Sequence, residues 1–125
     1  MARAPWTLND AKILAGQSKS GTVQVYYAQP RAVYVPDGTQ GSKLRFHFGA
    51  PVQAGPADLP TAGTFGPLAD GYGNMIVVAL TPGAWMDIRG LIPDTVFCQL
   101  EKVGSDGVTA QAQSADRTLQ LITAP

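Results

Sequence analysis

The stretch Asn74–Val103, NMIVVALTPGAWMDIRGLIPDTVFCQLEKV, sets the expected fold of the chain. It begins with six consecutive apolar residues, Met75–Leu80, and continues after a Thr-Pro-Gly turn with Ala84–Arg89. A second break, rich in glycine and proline, separates these residues from Thr95–Lys102. Short apolar stretches with such punctuation are typical of β-strands joined by turns. The stretch therefore predicts a three-stranded β-meander.

Successive side chains of a strand point to opposite faces of the sheet. Met75–Leu80 is apolar on both faces, which predicts a strand covered on both sides. In the second strand, Trp85, Asp87 and Arg89 share the outer face and form a candidate ligand or interface face. Cys98 falls on the apolar face of the third strand, so we expect a buried, unreactive thiol.

Outward from the meander, further segments have strand patterns bounded by turn residues. Lys43–Gly49 alternates most clearly, and we expect its polar face, which includes His47, to contact water. About eight strands in total predict an all-β protein, a single antiparallel sandwich or jelly roll formed by residues 21–125. The other predicted strands are Gly21–Ala28, Ala32–Val35, Val108–Gln113 and Arg117–Thr123.

Residues 1–20 are interpreted as an N-terminal arm. Asn9 is a suitable cap for one or two helical turns over Asp10–Ala15, and Gly16 would end them. Trp6 and Leu8 are candidate partner contacts that anchor the arm to a surface. The alternative is that both side chains cover the core of the domain itself.

Residues 49–73 have neither a strand nor a helix period. They contain four prolines and six glycines, and structureless loops of this length are uncommon in compact domains unless they are functional or disordered. Apolar side chains recur along the segment between small residues, as expected for a long extended loop with spaced anchors. The loop would lie on its own sheet or on a neighbouring subunit. The candidate partner contacts are Val52, Leu59, Phe65, Leu68 and Tyr72.

The charge pattern argues against several classes of partner. Nine basic and nine acidic residues cancel, and the 14% of charged residues form no basic cluster, so no nucleic-acid partner is expected. The longest apolar run has six residues, far fewer than the ~20 that span a bilayer, and no membrane partner or secretory signal is expected. The single cysteine excludes an internal disulfide and a multi-cysteine metal site.

The residues that catalysis needs are scarce, and we expect no enzymatic activity, no cofactor and no metal. His47 is the only histidine and Glu101 the only glutamate, and no Gly-x-Ser-x-Gly motif is present. Most of the eight aspartates stand at turn positions, where Asp is favoured for backbone reasons. Calcium binding by Asp70 and Asn74 is a minor alternative without the spacing of a known loop.

The build of the chain resembles the small β-structured decoration, or cement, proteins on the capsids of tailed bacteriophages. The resemblance is carried by the general build and by Thr81–Trp85 leading into Gly90–Val96. It implies a non-enzymatic virion protein that is made in the host cytoplasm and clamps neighbouring coat subunits on the capsid surface. The partners would be the major capsid protein or other virion subunits, with a homo-oligomer (dimer or trimer) expected. Adaptor and tail proteins of the same particles fit the same build.

A carbohydrate-binding module is the alternative from another class. Trp85 with Asp87 and Arg89, together with Tyr72, would offer an aromatic platform flanked by polar groups that could stack a sugar ring. The same tryptophan could instead cap the end of the sandwich or contact a neighbouring subunit.

Overall fold

The computed structural model describes residues 6–53, 55–57, 59, 61–92 and 95–124 of the chain. These residues contain eight strands and no helix. In chain order the strands are β1 (Thr7–Ile13), β2 (Val23–Val35), β3 (Lys43–Val52), β4 (Thr61–Pro67), β5 (Val77–Ala79), β6 (Ala84–Asp87), β7 (Thr95–Val103) and β8 (Arg117–Ala124).

Two antiparallel sheets pack as a sandwich, which confirms the predicted all-β fold. Sheet A has the order β1-β8-β2-β6, and sheet B has the order β2-β7-β3, with β4 and β5 on the far edge of β3. Strand β2 belongs to both sheets, because its first half pairs with β7 and its second half with β8. The pairing register shifts near Pro30, where the missing N–H of proline breaks the hydrogen-bond ladder and lets the strand change sheets.

The core lies between the sheets and follows the alternation of the long strands. Every second residue of β8 is buried, while the residues between them face outward. The largest fully buried apolar side chains are Phe46, Phe97, Ile13, Leu44, Ile88, Leu100, Leu119, Leu121, Val33 and Val35. All but Phe97 belong to the core between the sheets.

The helix expected over Asp10–Ala15 is wrong, because this part of the expected arm forms a strand of sheet A. Residues 7–13 form β1, which pairs with β8 along its whole length. Ala11 and Ile13 are buried with a period of two, as expected of a strand with one face on the core. Asn9 does not cap a helix, because its side-chain amide donates to Leu121 O and Thr123 Oγ1, both at 3.1 Å. Residues 1–5 lie outside the described part of the chain.

The meander expected in Asn74–Val103 is also wrong, because its three strands do not pair with one another. Strand β5 pairs with β3, β6 pairs with β2, and β7 lies between β2 and β3. The expectation that Met75–Leu80 is covered on both faces fails too. Only residues 77–79 form a strand, Met75 is exposed, and the segment lies at the edge of sheet B.

Two other segments differ from the sequence expectation. Within the described residues, Val108–Gln113 makes only the single bridge Val103↔Ala110. The long loop expected over residues 49–73 contains the end of β3 and all of β4, which pair as a hairpin across a register shift between Gly49 and Pro51. Segments rich in small residues and proline have no alternating pattern of apolar side chains, so the sequence did not predict a strand here.

Candidate functional site

The far end of the β3–β4 hairpin is exposed on both faces. Residues 50–52 at the end of β3 and residues 61–62 at the start of β4 are all exposed. At this end Val52 is 52% exposed and Leu59 is 77% exposed. Asp58 is the one charged residue between Gly49 and Ala69. The hairpin therefore presents a weakly charged apolar surface to its surroundings.

Phe65 fixes the base of this hairpin. Its ring lies against the backbone of Gly49, where a Cβ atom would come within 2.6 Å of a ring carbon. A glycine is therefore needed at position 49 for β4 to lie this close to β3. Phe65 is half-buried and packs within the hairpin, in line with the alternative that this anchor lies on the chain's own sheet.

The chain between β4 and β5 forms a tight loop with Tyr72 at its tip. Leu68 is partly buried against the core, whereas Tyr72 is 93% exposed. The carboxylate of Asp70 accepts the backbone N–H groups of Tyr72 at 2.8 Å and Asn74 at 3.0 Å. Both hydrogen bonds lower the pKa of the Asp70 carboxyl, and the one from Asn74 has the larger effect. Asp70 thus has the turn role expected of aspartate in such loops.

The candidate contacts near the N-terminus do not join those of the hairpin. Trp6 and Leu8 are about half exposed, and Leu8 lies on the outer face of sheet A opposite Ile122. Strands β1 and β4 stand at opposite ends of the strand order. The seven predicted contacts are therefore divided between the β1 edge, the hairpin and the Tyr72 loop, and Leu68 is mainly a core residue.

Trp85 lies on the outer face of sheet A, as the alternation predicted. It is 49% exposed, and its ring packs against Tyr34 with the centroids 5.1 Å apart and the planes tilted by 42°. Asp87 and Arg89 bind each other, with Arg89 Nη2 2.7 Å from Asp87 Oδ2. The hydrogen bond from the Arg89 side chain lowers the pKa of Asp87 to about 2. Tyr34 was not predicted as part of this face, because its position depends on the register between β2 and β6.

The sequence had suggested that His47 contacts water. In the structure, His47 lies on the outer face of sheet B but is only 5% exposed. Its Nε2 lies 2.8 Å from Glu101 Oε1, which also accepts Arg45 Nε at 2.6 Å. Ser18 Oγ donates to Glu101 Oε2 at 3.2 Å. We call these four residues the Glu101 cluster. The pairing of β3 with β7 creates it, because Arg45 stands directly opposite Glu101.

The Glu101 cluster is arranged to bind its elements together. Burial is the main cause that lowers the pKa of His47. Burial acts to raise the pKa of Glu101, but the hydrogen bonds from His47 and Arg45 outweigh it and lower the pKa overall. Ser18 donates to the carboxylate of Glu101 and not to the imidazole of His47. Ser18, His47 and Glu101 therefore do not form the serine–histidine relay of a hydrolase. The cluster joins β3, β7 and the segment before β2.

A second buried polar group lies at one end of the sandwich. Lys102 is fully buried, and its Nζ donates to Gln113 Oε1 at 2.5 Å. Burial lowers the pKa of Lys102 to about 8. Gln113 also accepts the N–H of Gln40 and donates to Gly38 O. The Gln113 amide thus connects the β2–β3 turn to β7.

Cys98 has the buried position that was predicted. It is 1% exposed, and burial raises the pKa of its thiol to about 12. A thiol with such a pKa carries almost no thiolate near neutral pH.

No protein-family model, curated protein or solved structure matches the chain. In the described ranges, no three His, Cys, Asp or Glu side chains come together as a possible metal site. A search of the same residues finds no helix of the length and apolarity needed to cross a membrane.

Proposed function

We propose that this protein is a non-enzymatic subunit of a larger protein assembly, which it binds through the far end of the β3–β4 hairpin. The single observation that carries the proposal is the exposure of this end on both faces, with Val52 and Leu59 presented to solvent. An exposed apolar surface of this kind is better suited to a protein surface than to a charged ligand.

The sandwich supports this role by holding the hairpin in place. Phe65 packs on Gly49 at its base, and the Glu101 cluster fastens β3 to β7. A hairpin held by a rigid sheet loses less conformational entropy on binding than a free loop does. The Tyr72 loop, which follows β4 directly, adds an exposed aromatic side chain of the kind common at interfaces.

The assembly that we propose is the capsid of a tailed bacteriophage, by resemblance to the decoration proteins of such particles. In this role the protein lies on the capsid surface and clamps neighbouring coat subunits, with the major capsid protein or another virion subunit as its partner. It acts there as a dimer or trimer. An adaptor or tail position in the same particle is the second placement, and it uses the same hairpin.

The experiment compares binding of hairpin variants to purified particles that lack this protein. In the first variant, residues 51–62 are replaced by Asn-Gly, which closes a two-residue hairpin turn. In the second, Val52→Ser is combined with Leu59→Ser. The matched control combines Leu91→Ser with Val108→Ser, two exposed apolar residues outside the hairpin.

Wild type and control should sediment with the particles, while both hairpin variants should remain in the supernatant as folded proteins. Circular dichroism and thermal unfolding establish that each variant is folded. Binding of the hairpin variants at the wild-type level would overturn the proposal, and so would equal loss of binding in the control.

A further inference from the structure

The register of sheet A aligns four outward side chains in a single row. Tyr34 stands opposite Trp85 of β6 and opposite Gln120 of β8, and Gln120 stands opposite Asp10 of β1. We call Trp85, Tyr34, Gln120 and Asp10 the aromatic row. It crosses four strands, a width of about 14 Å at the usual strand spacing of about 4.8 Å.

The row faces outward because the residues that alternate with it are buried. Val33, Leu119 and Ala11 point into the core from β2, β8 and β1. Trp85 and Asp10 are exposed, and Tyr34 and Gln120 are half-buried. The sequence could not show this row, because its members come from four strands that lie far apart along the chain.

One end of the row is aromatic. The tilt of 42° between the rings of Trp85 and Tyr34 forms a shallow angle in place of a flat stack. Half of the Trp85 side chain remains open to solvent. The C–H face of a pyranose ring is apolar and packs on such aromatic surfaces, while its hydroxyl groups need polar partners at the edge.

The other end of the row supplies those polar partners. The Gln120 amide offers both donors and an acceptor, and the Asp10 carboxylate offers acceptors. The side-chain hydrogen bond between them, from Gln120 Nε2 to Asp10 Oδ1, is 3.5 Å long and therefore weak. Both groups keep hydrogen-bonding capacity for hydroxyl groups of a ligand.

The surroundings of the row favour a neutral ligand. A neighbouring row of Ala32, Ile122 and Leu8 is apolar. Beside it, Asp87 is neutralised by Arg89, whose Nε and Nη2 both reach its carboxylate. At the opposite edge, Lys12 Nζ lies 3.6 Å from Asp116 Oδ2. Charges paired in this way largely cancel, so the carboxylate of Asp10 gives the row a negative charge that disfavours an acidic ligand.

We propose that the aromatic row is a binding site for a neutral oligosaccharide. Trp85 and Tyr34 stack on the sugar rings, and Gln120 and Asp10 bind hydroxyl groups farther along the same chain. The site lies on sheet A, whereas the hairpin of the proposed function belongs to sheet B, so either can fail without the other.

The test has two steps and uses the full chain. An array of neutral and acidic oligosaccharides is probed first, including cellohexaose, maltohexaose and a sialylated glycan. The strongest neutral ligand is then titrated by calorimetry into wild type, Trp85→Ala, Gln120→Ala and Val108→Ala. Val108→Ala is the control, because it truncates an exposed apolar side chain that lies outside the strands of sheet A.

Wild type should bind at least one neutral glycan, and Trp85→Ala should weaken binding about tenfold or more. Gln120→Ala should weaken it several-fold, and this variant keeps the test decisive if Trp85→Ala does not fold. Val108→Ala should bind as wild type does. The proposal is overturned if only acidic glycans or none bind, or if neither sheet A variant weakens binding. The proposal is also overturned if Trp85→Ala dissociates an oligomer of the protein, seen as a lower sedimentation coefficient, and leaves glycan binding intact. The aromatic row would then be a contact between copies of the chain.

Discussion

His47 Nε2 lies 2.8 Å from Glu101 Oε1, on a sheet face where the alternating pattern had suggested contact with water. The same carboxylate oxygen accepts Arg45 Nε at 2.6 Å, and all three side chains are largely buried. A buried carboxylate with these partners ties two neighbouring strands together. Loss of this carboxylate should therefore destabilise the folded protein far more than loss of an exposed ion pair.

Glu101→Gln should therefore destabilise the protein by about 3 kcal/mol, because it leaves the Arg45 charge without its buried partner. Urea unfolding followed by circular dichroism measures the change. Asp87→Asn, which breaks the exposed pair with Arg89, is the matched control and should leave the midpoint almost unchanged. Equal effects of the two substitutions would contradict the assigned role of the Glu101 cluster.

The protein should lose stability as the pH falls below about 6.5, the ordinary pKa of histidine. Burial, together with the nearby positive charges of Lys19 and Arg45, lowers the pKa of His47 in the folded protein. The hydrogen bond and the negative charge of Glu101 act to raise this pKa but do not outweigh burial. The unfolded chain then binds the proton more readily, so acid favours unfolding. Glu101 adds a loss of the same sign below about 4.5, because its folded pKa is lowered too. Melting temperatures at pH 7.5 and pH 5.0 measure the effect of His47.

His47→Gln is the variant that isolates this effect. Glutamine keeps an N–H donor for Glu101 but has no group that titrates between pH 5.0 and 7.5. The decrease in melting temperature over this range should be smaller than in wild type. An unchanged decrease would mean that another group causes the acid sensitivity.

Gly49→Ala should cost about 1–3 kcal/mol, because the new Cβ would lie 2.6 Å from a ring carbon of Phe65. Combining it with Phe65→Ala should remove the clash, so the double variant should be more stable than the sum of the single changes predicts. Thermal or urea unfolding of the four proteins gives this coupling. Strict additivity would show that Phe65 does not pack on Gly49.

Gln113→Ala should destabilise the protein by about 2 kcal/mol, because it removes the acceptor of the buried Lys102 ammonium and two hydrogen bonds to the β2–β3 turn. Gln111→Ala is the control, since that side chain is exposed. Hydrogen exchange should also show faster opening of residues 36–42 in Gln113→Ala alone. Protection equal to that of wild type in this turn would contradict the role given to Gln113.

Sequence reasoning identified the strands whose side chains alternate strongly. Lys43–Gly49 and Arg117–Thr123 correspond to β3 and β8 within a few residues, and the alternation also placed Trp85 outward and Cys98 inward. It missed β1, because Leu8, Asp10 and Lys12 on its exposed face obscured the burial of Ala11 and Ile13. It missed β4, because Gly63 and Gly66 have no side chains to alternate.

The Glu101 cluster and the aromatic row could not be predicted from the sequence for a different reason. Each depends on which residues stand opposite one another on neighbouring strands. A one-residue change of register would exchange the faces and abolish both. A periodic pattern determines the face of a residue within its strand but not its partner across the sheet.

Immunogold electron microscopy of a lysate of the source, with antibody raised against this chain, tests whether the protein belongs to a phage particle. Gold should be distributed over icosahedral particles, or at one vertex or tail if the protein is an adaptor or tail component. A strain that produces only the protein with residues 51–62 replaced by Asn-Gly should give unlabelled particles and free antigen. Absence of label on every particle in the wild-type lysate would show that the protein is not a virion subunit. Unchanged labelling with the shortened hairpin would show that the hairpin is not the binding surface.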